Sequence, residues 1–208
     1  MSNEWEKMLN GEPYDAANTE FIDRLFKTKD IIWEYNQLRP SDKETREAVI
    51  RQLFGHCGKR PTVNSPFYCD YGCNIYVGDN FFSNFNLTIL DEGKVTIGNH
   101  VFIGPNVSLY TACHPTDPIE RRKGTEWTKP ITIGNDVWIG GNVTILPGVT
   151  IGNGSTIGAG SVVIRDIPEG SIAVGNPCRV VKTIVYSANE VHDPDHKTDL
   201  NQYEKSNS

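Results

Sequence analysis

A few side chains in this 208-residue sequence carry most of its possible chemistry. His114 stands beside Pro115, and an imidazole with an ordinary pKa of about 6.5 can take the proton of a hydroxyl as that hydroxyl attacks an electrophile. Such a base needs a carboxylate on its other ring nitrogen, and Glu126 lies on the same stretch. Gly141 offers a backbone N–H that a ligand can approach closely, the kind of donor a developing oxyanion requires. Trp138, three residues earlier, can wall a pocket. Asp70 and Asn84 supply polar groups that suit a hydroxyl-rich ligand, and Arg179 and Lys182 are natural partners for phosphates.

Other reactive types read more simply. His56 should end a helix and His100 should sit at a turn, neither with a chemical role. His192 and His196 have the four-residue spacing of a helical metal pair. Pro194 lies between them among Asp193, Asp195 and Lys197, so a solvated tail is the reading and no metal is expected. Cys57, Cys69, Cys73, Cys113 and Cys178 are odd in number and form no C-x-x-C. They are expected to be reduced and buried as small apolar residues. A net charge of −6 argues against a nucleic-acid partner. No window approaches the roughly 18 apolar residues of a membrane span. The residues from Met1 to Trp5 have no secretion-signal character, so a cytoplasmic location is expected.

The elements that position these groups follow from a repeat of six. Ile97-Gly98 and Ile103-Gly104 lead to Leu109. After a gap come Ile133-Gly134, Ile139-Gly140, Ile145-Leu146, Ile151-Gly152, Ile157-Gly158 and Val163-Ile164. Val101, Val107, Val137, Val143, Val149, Ser155 and Ser161 recur four residues after the aliphatic position, and a degraded version runs from Ile75 to Ile89. An α-helix turns every 3.6 residues, so a period of six would wander around its surface. A short strand with one inward aliphatic residue, followed by a tight Gly or Asn corner, fits. Three such units close one triangular coil. Ile133 then stacks on Ile151, Ile139 on Ile157 and Ile145 on Val163, which is a parallel β-helix.

Residues 1–56 read as a helical cap over the open end of this solenoid. A short helix from Trp5 to Leu9 ends at Asn10-Gly11. A second runs from about Asn18 to Gln37 with Phe21, Leu25, Ile32 and Tyr35 on one stripe. A third starts at a Ser41-x-x-Glu44 capping box and reaches Gly55. The β-helix is expected over 57–184. Its repeat is interrupted by an excursion at 110–130, which carries His114 and the basic run Arg121-Arg122-Lys123 and can reach a neighbouring subunit. Residues 185–208 read as a polar tail.

Lys7-Met8-Leu9-Asn10-Gly11-Glu12-Pro13-Tyr14-Asp15-Ala16, Cys69-Asp70-Tyr71-Gly72, Asn84-Phe85-Asn86, Thr111-Ala112-Cys113-His114-Pro115, Gly134 to Gly141 and Gly175-Asn176-Pro177-Cys178-Arg179-Val180 together resemble the maltose and galactoside O-acetyltransferases, a branch of the hexapeptide-repeat acyltransferases. The resemblance implies a left-handed parallel β-helix with an N-terminal α-helical cap. It implies acetyl transfer from acetyl-CoA to a sugar hydroxyl with no metal, in a homotrimer whose active sites lie between subunits. His114 matches the family's loop histidine. Asp70, Asn84 and Glu92 match acceptor-pocket positions. Trp138, Gly141, Ala159, Ile164, Arg179 and Lys182 match coenzyme A positions. The family's N-terminal sugar-binding acid falls at Ala16, with Asp15 one residue earlier. That departure, and Asp70 where the galactoside branch has Ser, lean toward the maltose branch.

Three other readings exist. One is an acetyltransferase of the same superfamily acting on an antibiotic or on serine, which the N-terminal motif weighs against without excluding. A γ-type carbonic anhydrase needs three zinc histidines, and the repeat region holds only His100 and His114. A bare interaction scaffold would need neither a loop base nor phosphate-binding cations.

Overall fold

The computed structural model describes residues 3–184; the His192–His196 pair and the expected tail lie outside the described residues. Three helices come first: α1 (Glu4–Leu9), α2 (Thr19–Gln37) and α3 (Lys43–Leu53). Asn3 caps α1 with a reciprocal bond to Glu6, and Asn18 caps α2. The N-cap of α3 is Asp42, not Ser41. Its carboxylate accepts from the Thr45 N–H at 3.2 Å, and a charged oxygen is a stronger acceptor for that orphan donor than a hydroxyl. Helix α3 stops with Phe54 in an extended conformation. His56 is therefore no helix end: with Cys57 it forms the first strand of the solenoid, drawn away by pairing with Tyr76 and Val77.

From His56 onward the chain winds into a parallel β-helix with three faces. Face 1 stacks His56–Cys57, Ile75–Val77, Val95–Ile97, Ile131–Ile133 and Thr150–Ile151. Face 2 stacks Thr62–Val63, Phe82–Ser83, Phe102–Ile103, Trp138–Ile139, Thr156–Ile157 and Ser171–Val174, and closes with antiparallel Arg179–Thr183. Face 3 stacks Phe67–Cys69, Leu87–Leu90, Ser108–Tyr110, Thr144–Ile145 and Val162–Val163. The register follows the repeat, with Ile133 opposite Ile151, Ile139 opposite Ile157 and Ile145 opposite Val163. Every one of these six side chains is buried. The corners between faces 1 and 2 carry a ladder in which Asp79 N–H donates to Asn99, Asn99 N–H to Asn135 and Asn135 N–H to Asn153, each at 2.7–2.8 Å. Positive φ at Asn80, His100 and Asp136 makes the next residue of each such corner.

The coils are not all the same length. On face 1, Ile133 lies opposite Ile151, three repeats of six further on. Earlier in the chain Cys57 lies opposite Val77 and Val77 opposite Ile97, so each of those coils is two positions longer. The extra positions fall where face 3 turns into face 1, at 70–74 and 91–94. In the third coil the same corner opens into the whole excursion, 111–130. That excursion is itself built: Ala112–Cys113 and Thr125–Thr128 form a hairpin around helix α4 (Pro118–Arg121), and Tyr14–Asp15 from the N-terminal region adds a third strand. Met8, Tyr14 and Phe21 form a separate small core beneath it. All five cysteines are free, but only Cys69 and Cys178 are buried; Cys73 is exposed, because it lies on an enlarged corner rather than on an inward strand position.

Candidate active site

The three enlarged corners stack, and their polar residues meet. His114 Nδ1 lies 3.5 Å from Glu126 Oε1 across the hairpin, with the His114 side chain about half exposed. The other Glu126 oxygen accepts from the Tyr14 hydroxyl at 2.9 Å. Antiparallel pairing of Tyr14 with Glu126 makes this contact between residues far apart in the chain. Burial and the Glu126 carboxylate both push the Tyr14 hydroxyl far above the ordinary range, so it stays a donor.

Below this pair lies a group of buried acids. Asp91 is fully buried and accepts from the N–H groups of Asp70 and Tyr71 at 3.0 and 2.9 Å, which ties two successive corners together. Burial raises its carboxyl to about 6. Asp70 and Glu92 face each other, and with both ionised neither has a proton to donate. Burial, then the Asp70 charge, push Glu92 up to about 8, and burial raises Asp70. Each carboxyl, once ionised, thus makes ionisation of the other harder. Glu92 Oε2 is buried without a hydrogen-bond partner among the described residues. Asp70 also lines a cavity of about 420 Å³ with Lys29, Trp33 and Tyr68, between α2 and face 3.

A second groove, of about 440 Å³, runs along face 2. Phe82, Phe102 and Trp138 wall it, Asn84 stands at one end, and Gly141 and Ala159 form its edge. Phe102 and Trp138 are more than half exposed. The Gly141 N–H makes no hydrogen bond to any described residue. Gly104 and Gly140 have no room for a side chain: a Cβ on Gly104 would sit 2.6 Å from the Gly141 nitrogen, and one on Gly140 2.6 Å from that of Ala159. Arg179 and Lys182 lie on the closing antiparallel strand of the same face, and Ile164 follows the last strand of face 3, partly exposed.

The structure thus divides the residues expected to act. His114, Glu126, Asp70 and Glu92 gather at the corner between faces 3 and 1, whereas Asn84, Trp138, Gly141 and Ala159 line face 2. Asn84 has no left-handed backbone; its side-chain oxygen accepts from the Phe85 N–H. Asp15 is exposed and its carboxylate accepts from the Ala17 N–H, while Ala16 packs against the small N-terminal core. Tyr14 and Asp91 carry no site role in the sequence reading. The lengthened period of the early coils is the signal that points to Asp91. The Tyr14 contact crosses too much chain to be read from spacing.

Residues 7–58 match the model of the maltose acetyltransferase hexapeptide capping motif, and residues 130–165 match that of the bacterial transferase hexapeptide, six repeats. A maltose O-acetyltransferase structure from Clostridium difficile superposes with a TM-score of 0.88 at 46% identity, covering 89% of this chain and 99% of that one. The chain belongs to the maltose and galactoside O-acetyltransferase family. It is accordingly an acyltransferase. A putative acetyltransferase of Saccharomyces cerevisiae is 53% identical over 86% of this chain and 92% of its own length. A galactoside acetyltransferase solved in complex with coenzyme A superposes with a TM-score of 0.85 at 40% identity, over 92% of this chain and all of that one. Among the described residues no cluster of three or more His, Cys, Asp or Glu is arranged to hold a metal, and no helix is long and apolar enough to cross a membrane.

Proposed function

We propose that this acetyltransferase moves the acetyl group of acetyl-CoA to a hydroxyl of a sugar, with His114 as the base. The observation that carries the reading is the Tyr14–Glu126–His114 chain, in which a carboxylate held by a tyrosine faces one imidazole nitrogen and leaves the other for a substrate. His114 Nε2 takes the hydroxyl proton as the sugar oxygen attacks the thioester carbon. The Gly141 N–H receives the charge that develops on the carbonyl oxygen. The C–S bond breaks, and His114 returns its proton to the departing sulfur. The open Gly141 donor and the aromatic groove beside it fit the thioester arm, and Trp138, Ala159 and Ile164 would line it. Arg179 and Lys182 would meet the phosphates. Asp70 and Glu92 would offer carboxyl oxygens to sugar hydroxyls, and Asn84 adds a further amide.

The separation of the two halves supports a homotrimer. His114 sits at one corner of the prism and the open Gly141 N–H on another part of it, so the imidazole of one subunit would face the groove of the next. Thiol release from acetyl-CoA, screened over glucose, maltose, a galactoside, serine and chloramphenicol, tests the reading. Sugar-dependent release that falls at least about a hundredfold in His114→Ala, with the fold and assembly kept, is the expected result. Release only with serine or chloramphenicol would move the acceptor to another class, and near-normal turnover in the variant would remove His114 from the base's role.

A further inference from the structure

At the capped end of the prism, away from the groups used above, a cavity of about 270 Å³ lies between α3 and the first coil. Its charged lining is Lys43, Arg46, Arg60 and Glu47, three cations to one carboxylate on a chain whose net charge is −6. Glu47 is already committed to Arg51 at 2.7 Å. Asp42 and Glu44 flank Lys43 in the chain; Asp42 caps the Thr45 N–H, and exposed Glu44 forms no ion pair with a described residue. None of the three cations forms an ion pair with a described carboxylate.

Arg46 is the decisive group. It is over nine-tenths buried, yet its guanidinium bonds only neutral acceptors: Ser65 Oγ at 2.8 Å, and Tyr35 Oη and Val63 O at 2.9 Å each. The Tyr35 ring lies 4.5 Å beneath it. A buried charge without an opposite charge is costly, so a position beside one is electrostatically prepared for an anion. Arg60 stands at the rim with its Nε bonded to Asn80 Oδ1 at 2.8 Å, and its terminal nitrogens bond no described residue. The Lys43 ammonium has no hydrogen bond or ion pair among the described residues. The Arg60 terminal nitrogens, the Lys43 ammonium and the positive charge of buried Arg46 line one cavity, a set that suits a tetrahedral oxyanion carrying close to two charges. The volume is slightly below that of pockets for drug-sized ligands, which start at about 300 Å³, so it suits one phosphoryl group on a small body.

We propose that this cavity binds a phosphoryl group, as inorganic phosphate or as a small phosphate monoester. Isothermal titration of the whole protein at fixed ionic strength tests it, with inorganic phosphate and glucose 6-phosphate as probes and saturating coenzyme A present to fill any phosphate site near Arg179 and Lys182. The variants are Lys43→Gln and Arg60→Asn, both at exposed positions, Asn being chosen because Arg60 has a φ of 54°. Melting curves without ligand establish that they fold. One phosphoryl group per chain is expected, weakened about tenfold or more by each substitution and lost in the double variant. Tighter binding of the sugar phosphate would assign the monoester, and equal binding the free ion; both uphold the site. Absence of saturable binding, or binding undiminished in the folded double variant, would overturn it.

Discussion

The later coils and the corner between faces 3 and 1 are built on opposite principles. From Ile131 to Val163 the inward strand positions are aliphatic and dry, each strand lies on a partner three repeats away, and stability comes from apolar burial repeated coil after coil. At the enlarged corners of the first three coils the chain instead buries Asp91 completely and presses Asp70 against Glu92. There the carboxyl groups are driven above their ordinary range by lost solvation, a cost the surrounding coils must offset. The lesson is that a solenoid gains chemistry where its period lengthens. Extra residues leave the interior pattern intact and turn polar side chains onto one another at the edge.

Substitutions on the two sides of this contrast should separate cleanly. The largest expected effect is on stability in the regular coils: Ile139→Ala, at a fully buried position, should cost about 2–5 kcal/mol in urea denaturation while the acceptor preference of the enzyme stays the same. A cost below about 1 kcal/mol would mean the coils do not depend on close packing. The mirror case, His114→Ala, should leave the melting temperature nearly unchanged and remove most of the turnover.

Glu92→Gln comes next. Burial and the Asp70 charge push the folded carboxyl up to about 8 from an ordinary value of 4.5, so the native state binds more protons than the unfolded chain between those limits. Wild-type stability must then fall as pH rises through that window. The Gln variant escapes the fall and should be more stable than wild type by at least about 1 kcal/mol at pH 8, with the advantage vanishing near pH 4. Parallel stability curves for the two proteins from pH 4 to 8 would contradict the burial of Glu92 beside the Asp70 charge.

Smaller effects probe how the corner is held. Tyr14→Phe deletes the donor to Glu126 and should lower turnover without altering the acceptor ranking, at a stability cost of about 1 kcal/mol. An unchanged kcat would show that Glu126 needs no help to face His114. At the cap, Asp42→Ala should cost about 1 kcal/mol and Ser41→Ala less than about half of that, a difference chemical denaturation can resolve. The reverse order would restore Ser41 as the capping residue.

How far the sequence reaches depends on the range of the interaction. The β-helix is legible because the repeat of six is local and self-consistent: one aliphatic residue in, one small residue at the corner, and the stacking partners at fixed separation. The helices are legible for the same reason, through the stripe of Phe21, Ile32 and Tyr35. The α3 cap reads one residue early, since Ser41 and Asp42 both offer an oxygen and only the folded geometry selects the carboxylate. His56 reads as a helix end because nothing nearby reveals the strand that sets its conformation, Ile75–Val77 on the next coil. His114 and Glu126 can be paired from their shared excursion. The contact with Tyr14 cannot, because it depends on an N-terminal strand docking on that hairpin.

By itself, then, the sequence determined the repeat and its register, because these rest on local period and residue type. Only the tertiary structure decided that the two enlarged corners and the excursion lie one above another, that Asp70 and Glu92 are buried side by side, and that His114 and the Gly141 N–H belong to different parts of the prism. Those outcomes depend on distance and solvation between residues far apart in the chain, and neither quantity exists until the coils have stacked.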